Sequence, residues 1–294
     1  MIIDLKNTPT VQRQQWLNHA VAPRPICFAS TMDKEGNVNL SPFSFFNLFS
    51  VNPAIVIFSA SRRVRNNTIK HTLENVLDVP EVVVNMVDYA MVQQTSLASC
   101  EYPKSVNEFI KAGFTPVTSQ IVGPPGVLES KIRMECKVVE VKPLGTEGGA
   151  GNLVICEVLL MHIDDGILNI EGSMIDQRKM HYAARLGGDW YSRVNEDNLF
   201  RVEKPSTQLG IGIDVLPESI RNSKILSGND LGQLANVHEM PMIDPAFHDD
   251  TLKNIFQYYS VSPDEMEKEL QRYAKQLLEQ GKTSEAWQVL LAGS

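Results

Sequence analysis

Short apolar runs and strict alternation dominate the chain between residue 25 and about residue 170. Ile26-Cys27-Phe28-Ala29-Ser30-Thr31 reads as a strand, and the polar stretch Asp33-Lys34-Glu35-Gly36-Asn37 turns it into a hairpin that resumes at Val38-Asn39-Leu40. Ala54-Ile55-Val56-Ile57-Phe58-Ser59, after Asn52-Pro53, is a continuous apolar run of the kind a buried strand carries, and Glu81-Val82-Val83-Val84-Asn85-Met86-Val87 is another. Ile132, Met134, Cys136 and Val138 alternate with Arg133, Glu135 and Lys137, a period of two that gives a strand one dry and one wet face. A glycine-rich turn over 145–151 leads into a long strand over 152–163, and Asp165-Gly166 turns into a further strand, 167–170. Helical stretches are expected only at about 67–77 and 105–112. Strands joined by hairpin-length turns predict a mainly β, α+β fold: an antiparallel barrel with small appended helices.

The last hundred residues change period. Ser262-Pro263-Asp264-Glu265 combines an N-cap serine, a first-position proline and a glutamate placed to close a capping box. The helix it starts is expected to run to about Gln280 and end at Gly281, with Leu270, Tyr273 and Leu277 as its apolar stripe. A second short helix follows around 284–291, with Ala286, Trp287 and Leu290 inward. Residues 195–250 read mostly as loops.

Composition narrows the class. The 294 residues are 43% hydrophobic and 21% charged, ordinary globular values that exclude collagenous, disordered and disulfide-scaffold chains. Residues 1–194 hold 18 basic and 19 acidic side chains, whereas 195–294 hold 9 and 16. That shift marks a boundary between a first domain, 1–194, and an acidic, loop-rich then helical extension, 195–294. A formal charge of −8 argues against nucleic-acid binding, which needs a basic face. No apolar run approaches the roughly 20 residues of a membrane span, and Met1-Ile2-Ile3-Asp4-Leu5-Lys6 lacks the basic start and apolar core of a signal peptide, so a cytoplasmic protein is expected. Cys27, Cys100, Cys136 and Cys156 form no CxxC pair; three sit in apolar or alternating runs and read as core thiols, while Cys100 lies in a polar stretch.

Candidate chemistry concentrates in residues 24–75. Arg62, Arg63, Arg65 and Lys70 form a run of four bases without an acid, between a serine-rich strand end and an asparagine-rich helix start. Hydroxyls, a helix N-terminus and cations are the donors a phosphate monoester needs; a solvated basic loop would look the same. The glycines at 145, 148, 149 and 151 do not spell a dinucleotide fingerprint and join two strands rather than opening a helix. His238-Glu239 and His248-Asp249-Asp250 have no established zinc spacing, and no metal site is expected. No catalytic acid–base pair or nucleophile motif stands out.

Read in order, Pro23-Arg24-Pro25, Ser30-Thr31, Asn39-x-Ser41-Pro42-Phe43-Ser44-Phe45-Phe46, Asn52-Pro53 and Lys70-x-Thr72-x-x-Asn75 resemble the flavin reductase-like family of FMN-binding split barrels, which includes flavoredoxin-type proteins and reductase components of two-component monooxygenases. Val83-Val84-Asn85, the stretch 108–115, Glu129-Ser130 and Arg185-Leu186-Gly187-Gly188-Asp189-Trp190-Tyr191 extend the resemblance over about residues 10–193. It implies that Ser30 and Thr31 meet the isoalloxazine or ribityl chain, and that Asn39, Ser41, Pro42, Phe43 and Ser44 line the flavin. It further implies that Ser59, Ser61, Lys70 and Thr72, with Arg62 or Arg65, hold the phosphate, and that His181, Arg185 and Tyr191 close the pocket or meet a second subunit. Where the family often has Lys-Asp-Thr this chain has Lys70-His71-Thr72, so that acid's hydrogen bond has no counterpart. The implied activity is an FMN-dependent oxidoreductase in which NADH or NADPH delivers hydride to flavin N5, passing electrons to a small-molecule acceptor or a partner oxygenase, as a homodimer. The alternatives are an FMN-binding electron carrier reduced by a protein partner, and a non-catalytic flavin-binding protein.

Overall fold

Asp33 makes the first hairpin. The computed structural model describes residues 1–205 and 209–293; residues 206–208 and 294, inside the expected 195–294 extension, lie outside the described residues. Asp33 Oδ1 accepts from the amides of Glu35 (3.1 Å) and Asn37 (2.8 Å), and Gly36 takes the left-handed conformation the tight turn requires (φ +86°). Strand β1 (Cys27–Met32) thereby returns as β2 (Val38–Phe43), with Cys27 opposite Phe43 and Met32 opposite Val38.

Strands β3 (Phe46–Val51), β4 (Ala54–Ser59), β5 (Glu81–Met86), β8 (Ile132–Pro143) and β9 (Asn152–Ile163) complete a seven-stranded antiparallel sheet in the order β2-β1-β5-β8-β9-β4-β3. Its two edges, β2 and β3, are separated in the chain by Ser44 and Phe45 alone. A flat sheet of seven strands would hold its edges roughly 29 Å apart, at about 4.8 Å per strand spacing. Three Cα steps span at most about 11 Å. The sheet therefore rolls until its edges meet, and the expected antiparallel barrel is what forms. Two further short strands, β6 (Pro116–Val117) and β7 (Gly126–Val127), pair with each other, as do β10 (Ala183–Arg185) and β11 (Tyr191–Arg193).

Alternation assigns the faces. Cys27, Ala29, Phe43, Phe58, Val82, Val84, Met134, Cys136 and Cys156 point into the barrel, where the Phe43 and Phe58 rings lie 5.0 Å apart and Leu73 and Val76 of helix α2 (His71–Asp78) join them. Ile26, Phe28 and Leu40 point the other way, into a second core under α3 (Val92–Leu97) and α4 (Glu108–Ala112). Strand β1 is thus dry on both faces, which explains its unbroken apolar run. The three core cysteines are barrel-interior residues; burial pushes the Cys27 and Cys156 thiols well up and Cys136 up to about 12.

The chain divides into two compact units, Met1–Phe200 and Arg201–Ser294. In the second, α5 (Glu218–Arg221), α6 (Gly228–Ala235), α7 (Asp250–Tyr258), α8 (Pro263–Glu279) and α9 (Thr283–Leu291) enclose Leu234, Leu270, Ala274, Leu277 and Trp287. The Trp287 indole donates to the Leu234 carbonyl at 3.2 Å. Among the described residues no helix is long and apolar enough to cross a membrane.

Two local expectations need correction, residues 167–170 and the cap of α8, and one helix had no expectation. Residues 167–170 form no strand, because Asp164 Oδ1 captures the Gly166 amide (2.7 Å) and tightens Asp165–Ile167 into a single 3-10 turn. Among the described residues the span 195–250 is mostly loop, as expected, and within it α6 forms despite Gly228 and Gly232, through a Ser227/Asp230 capping box. Ser262 and Pro263 do start α8, but the Ser262 side chain makes no cap bond and Glu265 turns to Lys268 (2.7 Å) instead. Helix α1 (Thr10–Ala20) had no sequence expectation because it buries no residue and so carries no apolar stripe.

On the outer face of β8, buried Glu135 accepts from the amides of Gln120 (2.8 Å), Ile121 (2.7 Å) and Val122 (3.2 Å), and His162 Nε2 lies 2.6 Å away. Burial pushes this carboxyl up, but the three amides and His162 outweigh it and hold it below the ordinary glutamate value. A depressed folded-state value means stability present above the unfolded value, about 4.3, and lost as pH falls through the folded one. Glu135→Gln should therefore lose about 1–3 kcal/mol in urea unfolding at neutral pH. The gap from the parent protein should shrink as pH drops below about 4.

Candidate functional site

Thr31 and Asn39 are cross-strand partners on β1 and β2, and Thr72 and Asn75 sit one turn apart on α2. Asn39 Nδ2 donates to Thr72 Oγ1 (2.8 Å) and Asn75 Nδ2 donates to Thr31 Oγ1 (3.2 Å), with all four residues buried. This reciprocal clamp fixes the start of α2 against the barrel. No side chain caps that start, and the amides of Leu73 (2.9 Å) and Glu74 (3.2 Å) both turn to the Lys70 carbonyl. The amides of His71 and Thr72 remain as outward first-turn donors, at the positive end of the helix dipole.

Two cations stand beside them. Lys70 Nζ lies 4.8 Å from the centre of the Phe43 ring, and no carboxylate among the described residues comes within 4.0 Å of it. Burial pulls its ammonium below the ordinary lysine value, Arg63 pulls the same way, and Glu101 opposes both. Arg63 is held by Nη1 bonds to Thr68 Oγ1 (2.9 Å) and the Ile69 carbonyl (2.6 Å), and its Nε faces Glu101 at 3.3 Å. The loop carrying Arg63 is braced by the glycine-rich turn between β8 and β9: the Gly149 amide donates to the Arg62 carbonyl (3.0 Å), and a Cβ on Gly148 would stand 2.9 Å from the Val64 carbonyl oxygen. These groups surround a cleft of about 440 Å³, open mouth included, lined by Asn39, Ser41, Arg63, Lys70, His71 and Thr72 together with residues 98–102 and Glu108.

The structure gathers some expected site residues and separates others. Asn39, Ser41, Lys70 and Thr72 share the cleft; Phe43 underlies Lys70; and Thr31 anchors α2 through Asn75. Alternation puts Ser30, Pro42 and Ser44 on the opposite face of the hairpin, with Ser30 Oγ buried and unpartnered. Ser59 and Ser61 are half-buried and do not line the cleft. The Arg62 guanidinium folds back on Asn67 (2.6 and 2.7 Å), and Arg65 pairs with Glu101 (2.8 Å). His181 takes a left-handed conformation (φ +49°) with Nδ1 buried and unpartnered, and the Arg185 guanidinium lies 4.5 Å from the Tyr191 ring centre.

Arg24 links Arg185 to Ser44. Its backbone exchanges hydrogen bonds with Arg185 (2.9 and 2.8 Å), while its buried guanidinium donates to the carbonyls of Asn18 (2.7 Å), Val21 and Leu186 (2.9 Å) and to Ser44 Oγ (3.5 Å). The Pro-Arg-Pro sequence signalled this residue, though not its role as a tie for the end of α1. Neither Glu101 nor Glu108 was assigned a role in the site from the sequence. Glu108 is buried, and burial raises its carboxyl while the Leu40 amide, donating to Oε2 at 3.1 Å, opposes the rise. That bond covers an outward amide of edge strand β2, and Pro42, two residues on, has no amide to expose.

Comparison with known proteins gives one consistent assignment. The flavin reductase like domain family matches residues 19–183. An uncharacterised protein of Aquifex aeolicus is 40% identical over 174 residues, which is 59% of this chain and 86% of that protein. Component B of nitrilotriacetate monooxygenase from Bacillus cereus superposes with a TM-score of 0.64 at 27% identity, over 69% of this chain and 98% of its own. A Shewanella frigidimarina protein assigned as a flavin reductase with a split barrel domain follows at 0.58 and 26%, over 68% and 96%.

The clamp makes a direct prediction. Asn75→Ala strands Thr31 Oγ1 without its donor and should lose about 1–3 kcal/mol in urea unfolding. Thr31→Val/Asn75→Ala should lose less than the two single changes added together, because both polar partners are gone. Additive losses would show that the two side chains do not act as a pair.

Proposed function

This chain belongs to the flavin reductase like family, and from that premise we propose that it is an FMN-binding oxidoreductase, a flavin reductase driven by NADH or NADPH. The observation that carries the reading is Lys70: a desolvated cation over the Phe43 ring, beside Arg63 and the uncapped first turn of α2, with no carboxylate paired to it among the described residues. A cation left so is unfavourable by itself and complete with a phosphate in front of it. The donor set fits that group: Arg63 and Lys70 supply charge, the His71 and Thr72 amides and the Thr72 and Ser41 hydroxyls supply directed bonds, and Asn39 is held in place by Thr72.

On this reading the phosphate of FMN sits at Lys70, Thr72 and Arg63, with Ser59, Ser61 and Arg62 shaping the loop around it. Asn39, Ser41, Phe43 and Thr31 would line the flavin from the cleft face of the hairpin, Ser30, Pro42 and Ser44, whose side chains face away, would meet it through their main chain, and His181 and Arg185 would close the pocket. The chemistry FMN would supply when held by these residues is hydride uptake from a reduced nicotinamide and release of the electrons to an acceptor. The chain's part is to bind, orient and keep the ring dry, which is why no side chain is assigned as nucleophile. Amides and hydroxyls near the ring's pyrimidine edge would hold the negative charge that reduction develops.

A homodimer is supported by apolar side chains that one protomer leaves in water: Leu48, Phe49 and Val51 on edge strand β3 are 60%, 63% and 81% exposed, and Leu159 and Met161 project from β9. The likeness to a monooxygenase component B supports a partner oxygenase as one consumer of reduced flavin. Four unpaired cysteines and dependence on a reduced nicotinamide support a cytoplasmic setting. Residues 195–294 are proposed as an appended extension outside the flavin-binding part, 1–194.

Visible absorption during FMN titration, followed by anaerobic NADH and then NADPH, tests the reading. Saturable FMN binding with bleaching by either nucleotide is expected; binding without bleaching would make the protein an electron carrier, and no binding to excess FMN would overturn the assignment. Lys70→Met should weaken FMN at least tenfold, the scale of a lost charge-assisted bond, and leave riboflavin nearly unchanged. In the parent protein FMN affinity should fall as alkaline pH approaches the lowered Lys70 value, earlier than an ordinary lysine near 10.4 would dictate.

A further inference from the structure

Two carboxylates line the cleft, and they are held very differently. Glu108 is buried and bonded to the Leu40 amide. Glu101 is 53% exposed, and among the described residues its carboxylate forms ion pairs with Arg63 Nε at 3.3 Å and Arg65 Nη2 at 2.8 Å. It belongs to the connection between α3 and α4, in which the Cys100 amide donates to the Leu97 carbonyl (3.2 Å) and the Tyr102 amide to the Cys100 carbonyl (2.8 Å), bonds of the main chain that leave the Glu101 side chain unheld except by the arginines. Glu101 therefore brings negative charge to the same cations that would receive a phosphate, on an exposed side chain that can swing away from them.

The two arginines differ too. Arg63 keeps its place without Glu101, because Thr68 and Ile69 hold its other nitrogen. Arg65 is 77% exposed and has Glu101 as its ion-pair partner, so it can follow the carboxylate outward. Breaking the contact to Arg63 while keeping the one to Arg65 costs little, since the Glu101 carboxylate is half in water and keeps an ion pair throughout.

We propose that Glu101 is an internal stand-in for the ligand's phosphate: it balances Arg63 in the free protein and is displaced toward Arg65 when a flavin phosphomonoester enters. The proposal rests on the flavin reading above and deepens it. A phosphate monoester carries about −1.5 to −2 at neutral pH, so a carboxylate left beside it opposes binding, and the protein must move that charge each time the ligand arrives. The consequence is a flavin that exchanges rather than one held permanently. Glu101 also narrows the preference for the phosphorylated flavin over riboflavin, because only the phosphorylated ligand has to displace it.

Fluorescence titration of the full-length protein with FMN and with riboflavin, for the parent, Glu101→Gln and Glu101→Asp, tests this. Glu101→Gln should bind FMN about tenfold more tightly and release it more slowly, the scale of one charge acting on a dianion through partly hydrated space. Riboflavin should stay within about twofold, and Glu101→Asp, which keeps the charge, should match the parent. Inorganic phosphate should compete with FMN at lower concentration in Glu101→Gln than in the parent. Unchanged or weaker FMN binding by Glu101→Gln would overturn the proposal and show that Glu101 serves to hold Arg63. Equal tightening of FMN and riboflavin would also overturn it, since the effect would then not pass through the phosphate. A parent protein that binds neither flavin would overturn the flavin reading and this proposal with it; in the other failures FMN binding by the parent survives, so the two are distinguishable.

Discussion

The bonds from Asn39 to Thr72 and from Asn75 to Thr31 tie the first turn of α2 to the β1–β2 hairpin, and the position of the cleft follows from them. All four side chains are buried, so each bond left unmade would cost more than it contributes when formed. That asymmetry makes the clamp selective: in this seating both clamp bonds are made, and only Asn75 Oδ1 among the clamp's polar atoms stays buried without a partner. In that seating the helix start points outward, Lys70 falls over Phe43, and the loop from Arg62 to Ile69 has little freedom left. The glycine-rich turn between β8 and β9 then closes on the same loop, where side chains at Gly148 would keep the backbones apart.

Much of this was legible in the sequence because it is periodic or locally bonded. The strands of the barrel announce themselves through alternation, and β1 through its dryness on both faces. β3 did not, because its apolar residues face outward and Phe46 belongs to the barrel interior while Phe45 does not, so the aromatic run looked like packing alone. In the cleft, the spacing of Lys70, Thr72 and Asn75 was visible, but not that Thr31, Asn39, Thr72 and Asn75 bond to one another. That pairing joins residues more than thirty positions apart. Glu101 was invisible for a similar reason. An exposed acid in a loop reads as solvated surface until the fold sets two arginines against it.

The two edges of the rolled sheet are treated in opposite ways. On β2 the outward Leu40 amide is covered by Glu108 and the next outward position is a proline, so that edge offers no template for another strand. On β3 the side chains of Leu48, Phe49 and Val51 stay in water. The blunted edge borders the cleft, where strand addition would compete with a ligand. The apolar edge lies where the proposed second protomer has something to cover. The same chain direction change, at Ser44 and Phe45, separates the two.

Lys70 shows why the cleft and the fold cannot be optimised together. Without a ligand its charge is desolvated, backed by a ring and pushed by Arg63, a combination that folding alone would not favour. It is tolerated because the clamp, the barrel core and the braced loop over-determine the position of the backbone that carries it. Every residue lining the cleft comes from the first 108 positions, so that stabilisation is supplied within the barrel unit itself. The chemistry proposed here therefore belongs to Met1–Phe200 as a folded body, and Glu101 supplies, from within the same unit, part of the negative charge that the site needs when no ligand is present.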